Sequence, residues 1–186
     1  MLTSRSTFFK AAFRREWREA EDKIVHLPED SEEVFATYMY LVYTGMLSTQ
    51  SNTELVDKED REYADLVNLY VFAEKVGDEQ AKETALRAIK TKMDDHQGHV
   101  RIEVIGAAFD GTPDGNPLRT LPVDHHAEAF DVCWLEELDG YEPHPEFLLQ
   151  LSRALLMEKR RRLRLDADVT IIDLTQQGAS SNLEPS

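Results

Sequence analysis

The sequence predicts an α/β to mostly α protein: a helical cluster with a small residual sheet, a helical C-terminal extension and a disordered tail. Three observations carry this. Apolar residues recur at helical spacing in four segments of the N-terminal half. Between the first two, "DKIVHLPED" alternates instead, with Ile24 and His26 on one side and Val25 and Leu27 on the other, as a strand does. The chain has 186 residues, 41% hydrophobic and 31% charged, which fits one globular domain with appendages.

Residues 6–20 read as the first helix, with Phe8, Phe9, Ala12 and Phe13 on one face. The strand over "IVHLP" ends at Pro28, which has no N–H to give to a ladder. Asp30 then suits a helix N-cap, with Glu33 as its capping-box partner, and the helix runs to Gly45. On it Val34, Phe35, Tyr38, Leu41 and Val42 share one wide face, while Tyr40 and Tyr43 point elsewhere. Tyr38 is therefore assigned to the core and Tyr40 to a surface that meets a partner. Residues 46–61 are polar and acid-rich and read as a loop with room for one short strand.

A helix over "EYADLVNLYVFAEKVG" follows, stopped by Gly77, with Leu66, Leu69, Tyr70, Ala73 and Val76 as its stripe. The next starts from Asp78 as N-cap and places its acids early and its lysines late, in agreement with the helix dipole. Helicity then weakens through a mixed apolar segment and a turn-rich stretch on Pro113, Gly115 and Pro117. Residues 126–139 and 145–165 read as helices again, the second with Pro145 in its first turn. The final "DADVTIIDLTQQGASSNLEPS" holds a short β-prone core and then small polar residues expected to be disordered.

The net charge of −15 argues against a direct nucleic-acid role, since phosphate contacts need a basic face. One cysteine, Cys133, permits no intramolecular disulfide and suits a reducing, intracellular compartment, nuclear or cytoplasmic. No apolar run approaches the roughly 20 residues that span a bilayer. The basic start "MLTSRSTFFKAAFRR" can be drawn as a transit peptide, but it reads better as the first helix of a domain.

In their order and spacing, "SRSTFFKAAF", "VHLPED", "EEVFATYMYLVYTG" and "LVNLYVFAEKVGDE" resemble the BTB/POZ domain, in particular the set found in filamentous fungi. The match covers about residues 2–95. It implies a BTB/POZ-like domain over 1–95, a mostly helical extension over 96–165 and a flexible tail over 166–186. The family pattern has a strand hairpin and a helix before the Ser-x-x-Phe-Phe element, whereas Met1-Leu2 here matches the tail of that helix. The strand around Val25 is then expected to have an open edge, which invites pairing. The resemblance implies a protein–protein interaction module, with a homodimer through the BTB-like part. Its alternative is a substrate adaptor for a cullin-type ubiquitin ligase. Against a cullin scaffold as partner, no substrate domain is visible, and "LVDKE" spaces the hydrophobic-x-Glu element wrongly.

Two short motifs lie outside that match. "DVTIIDLT" resembles a SUMO-interacting motif: Val169, Ile171, Ile172 and Leu174 are its apolar residues, Asp173 lies inside, and Asp166 and Asp168 precede it. Such a segment adds as a strand to a sheet edge while its acids meet a basic rim. In "EKRRRLRL", Lys159, Arg160, Arg161, Arg162 and Arg164 read as a nuclear import signal or as the favourable cationic end of a helix. His96, His99, His125, His126 and Cys133 can be drawn as a zinc site, but one loose pair and one cysteine fall short of four ligands in tight spacing. No nucleophile arrangement and no phosphate loop stands out. The chain is therefore expected not to be an enzyme, and no cofactor or metal is expected.

Overall fold

The computed structural model describes residues 1–13, 24–25, 27, 30–48, 55–95, 102–129, 140 and 142–180, with backbone only over 55–60, 95, 129 and 165–180. Eight helices are formed among the described residues: α1 (Leu2–Arg5), α2 (Thr7–Ala12), α3 (Glu32–Thr44), α4 (Leu55–Val76), α5 (Glu79–Asp95), α6 (Ile102–Asp110), α7 (Pro117–Ala129) and α8 (Pro145–Ser180).

The expected residual sheet is not found among the described residues. Helix accounts for 80% of the described residues, no strand occurs among them, and the class is all-α. Alternation at "IVHLP" has another cause. Val25 and Leu27 are partly buried against the helical core, and Ile24 is exposed. A segment with one side against helices and one side toward solvent alternates as a strand does, but no neighbouring strand stands among the described residues to form a ladder. The edge expected around Val25 falls with it; His26 lies outside the described residues.

Three boundaries also move. Ser31, not Asp30, caps α3, its hydroxyl accepting from Glu33 N at 3.2 Å. Asp30 instead accepts from Lys75 Nζ at 2.9 Å. The acid-rich stretch read as a loop is helical from Leu55, where good helix formers dominate "LVDKEDRE". The tail expected to be flexible from 166 continues α8 to Ser180. No glycine or proline interrupts that helix before Gly178, and β-branched residues cost only tenths of a kcal/mol each in a running helix.

The first core joins α2, α3, α4 and α5. Tyr38, Leu41 and Val42 of α3 are buried against the α4 stripe of Leu66, Leu69, Tyr70, Ala73 and Val76, and Ala81, Ala85 and Ile89 of α5 close it. The tyrosines divide as expected, with Tyr38 fully buried and Tyr40 exposed. At Gly45 a left-handed φ of 71° ends α3, and its N–H donates to Leu41 O at 2.9 Å.

A second cluster joins α6, α7 and α8: Ile105, Phe109, Val123, Ala127, Phe147 and Leu151. Helix α6 serves both clusters, giving Val104 and Ala108 to the first and Ile105 and Phe109 to the second. Val104, Ile105, Ala108 and Phe109 lie side by side on one wide apolar face, so a single helix borders both clusters.

Two buried polar hubs fix the joints. At the first, fully buried Asp78 accepts from Arg5 Nε at 3.0 Å, Tyr38 Oη at 3.0 Å and, as the α5 cap, Ala81 N at 3.0 Å. Burial, and then the Asp78 carboxylate, pushes the Tyr38 phenol up, so it stays a donor. Beside it Ser6 caps α2, accepting from Phe9 N at 3.1 Å and donating to Val76 O at 2.5 Å. At the second hub, Asn116 Oδ1 accepts from Tyr70 Oη at 3.0 Å and from Leu118 N at 2.9 Å, which caps α7 on its first-turn Pro117.

Candidate interaction surface

Helix α8 has 36 residues, about 54 Å at 1.5 Å per residue. Its first turns are held to the body. Phe147 is fully buried, stacked edge-on against Phe109 with ring centroids 5.9 Å apart. His144 caps the helix, its Nδ1 accepting from Glu146 N at 3.2 Å, which leaves the proton on Nε2, 3.4 Å from Asp110. Buried Arg119 ties α7 to α8 through Glu146 at 3.0 Å, and the same guanidinium reaches Asp114 at 2.7 Å and Phe109 O at 2.7 Å. It also donates to Thr112 O and lies over the Phe109 ring. Five donors in a planar fork suit a turn with several carbonyls to satisfy.

Past Leu155 the helix presents apolar side chains to solvent: Leu156 is 66% exposed, Met157 71% and Leu163 61%. Leu149 is exposed too, so Leu149, Leu156 and Leu163 repeat every seven residues along one face. The stripe is present in "LQLSRALLMEKRRRL". The packing face, Phe147 and Leu151, occupies the opposite side and masks the pattern.

The cations Lys159, Arg160, Arg161, Arg162 and Arg164 follow, all exposed. Two of them fold back on Glu158: Arg161 Nε at 2.7 Å and Arg162 Nε at 3.0 Å. These hydrogen bonds hold the Glu158 carboxyl well below the usual range, at about 2. Glu158, Arg161 and Arg162 also line an open groove of about 520 Å³ between α8 and α7, opposite Asp124 and Glu128.

Val169, Ile171, Ile172, Asp173 and Leu174 all lie on the helical backbone of α8, not on an extended tail. Tyr40 belongs to another surface. It projects from α3 beside exposed Tyr43 and Met46, and α3 packs on α4 and α5, whereas α8 packs on α7 and α6. The structure thus gathers the cations and the aliphatic-acidic segment on one helix and leaves Tyr40 apart from them. Of the histidines drawn as zinc ligands, His126 is buried with Nδ1 2.7 Å from Pro122 O and its ring against Phe147. His96, His99 and Cys133 lie outside the described residues. No helix among the described residues is long and apolar enough to cross a membrane. Comparison with family models, with curated proteins and with solved structures finds no match to this chain.

Proposed function

We propose that this chain is a protein–protein interaction module, of BTB/POZ-like organisation in its helical part, which meets its partners through α8 and through the Tyr40 face of α3. The observation that carries the reading is the apolar exposure of α8 beyond Leu155, where Leu156, Met157 and Leu163 are uncovered next to a block of cations. Contiguous exposed apolar side chains along one helix, rimmed by polar residues, are what an association surface presents. The helical order of α2 to α5, with the Ser6-Thr7-Phe8-Phe9 element seated on the Gly77-Asp78 turn, supports the family likeness.

Within this reading the segment Val169–Leu174 recruits SUMO or a SUMO-modified protein. Strand addition requires residues 168–175 to leave the helix, and four β-branched residues in succession, Val169 to Ile172, make that stretch the least costly part of α8 to unwind. Retention of the chain on immobilised SUMO is the direct test. Replacing Ile171, Ile172 and Leu174 together by Ala is expected to abolish retention; unchanged retention would remove the SUMO assignment.

A further inference from the structure

We infer that α8 pairs with α8 of a second copy, antiparallel, through the stripe on its outward face. The occupant is chosen by charge. From Leu149 to Arg164 the helix carries six cations and one acid, and from Leu165 to Ser180 three acids, Asp166, Asp168 and Asp173, and no cation. A parallel pair sets cations on cations and acids on acids. An antiparallel pair sets the cationic half of each helix against the acidic half of the other, twice, about one two-fold axis.

The register follows from the same residues. With the axis at Asp166, Lys159 falls opposite Asp173 and Arg164 opposite Asp168, while the two copies of Asp166 meet at the axis as the one like-charge pair on these flanks. At about 100° per residue the first pair lies on one flank of the stripe and the second on the other flank, as flanking charges do in a coiled coil. Leu156 and Leu163 enter the seam from the described part of the helix, and in the sequence the same face continues over Ala167, Ile171 and Leu174. A seven-residue step drifts by only about 20° on a straight helix, so a modest supercoil keeps the face in contact. The seam lies on the side away from Phe147 and Leu151, so pairing leaves the attachment of α8 to the body intact.

Sedimentation of the full chain tests this, together with cross-linking in a Cys133→Ser background. The parent chain is expected to be a dimer at micromolar concentration and to dissociate in molar salt. Leu163→Asp is expected to give a folded monomer. Arg164→Asp is expected to weaken the dimer, and Arg164→Asp with Asp168→Arg to restore it. Ala167→Cys, next to the axis, is expected to form a disulfide between copies, and Leu156→Cys, far from it, is not. A monomeric parent chain overturns the inference, as does a dimer indifferent to Leu163→Asp or one cross-linked equally by Leu156→Cys. A monomer that floats with phosphatidylserine vesicles overturns it in favour of an anionic lipid surface. SUMO retention is read separately, and a monomeric result leaves the SUMO assignment standing.

Discussion

Replacing Asp78 by Asn tests whether the first hub holds the N-terminal helices to the body. The carboxylate is fully buried and takes four hydrogen bonds. Oδ2 serves Arg5 Nε and Tyr38 Oη, each at 3.0 Å, while Oδ1 serves Arg5 Nη2 at 3.3 Å and Ala81 N at 3.0 Å. An amide has the same shape but one acceptor oxygen. Whichever position becomes NH2 then faces two donors, and the Arg5 guanidinium loses its counter-charge.

Breaking a buried pair from one side costs about 3–5 kcal/mol. Arg5 retains 14% side-chain exposure, and hence some hydration, so the lower end applies, about 3 kcal/mol. At a urea slope of about 2–3 kcal/mol/M, the upper part of the usual range, the midpoint should fall by about 1 M. Tyr38→Phe removes one bond and leaves the carboxylate three, so about 1–1.5 kcal/mol and about half that shift are expected. Arg5→Met should couple to Asp78→Asn in a double-mutant cycle. An Asp78→Asn midpoint indistinguishable from the parent, or strict additivity with Arg5→Met, would refute the hub as a source of stability.

Two further changes have definite signs. Gly77 has φ +63°, and a Cβ there collides with Thr7 Oγ1; Gly77→Ala should therefore destabilise by about 1–3 kcal/mol in urea, and Thr7→Ala should recover the steric share but not the backbone share. The Glu158 carboxyl is held at about 2, below its ordinary value of 4.5. A depressed value means the clamp on Arg161 and Arg162 is fully present above pH 4.5 and is lost as pH falls through about 2. A carbon-detected NMR titration of Glu158 should show that midpoint, and one above 4 would remove the clamp.

The first core was legible because each of its helices buries one face. Tyr38, Leu41 and Val42, and the α4 stripe from Leu66 to Val76, stand at helical spacing and are buried where that spacing puts them. Asp78 was legible as a cap, since Ala81 N donates to it. Its other partners, Arg5 and Tyr38, lie 73 and 40 residues away, and no local pattern announces such contacts. Arg119 was illegible for the same reason: its partners Phe109, Thr112, Asp114 and Glu146 converge only once α6, α7 and α8 have packed. The strand at "IVHLP" failed differently. Alternation reports one buried side and one exposed side, and a strand needs a partner edge besides.

The distal half of α8 has two uses that exclude each other. Residues 168–175 are helical, and in an antiparallel pair Ile171 and Leu174 belong to the seam. Donated as a strand, the same residues leave the helix and the seam together. Pairing lowers the population available for strand addition, and a partner that captures the strand dissociates the pair, by linkage. The β-branched run from Val169 to Ile172 weakens the helix where the second use needs it weak, and the cations from Lys159 to Arg164 strengthen pairing where the first use needs it strong. Salt shifts this balance in a known direction: screening the Lys159–Asp173 and Arg164–Asp168 contacts should free the segment. SUMO retention should therefore rise over the salt range in which the dimer dissociates, before screening of the motif's own acids lowers it.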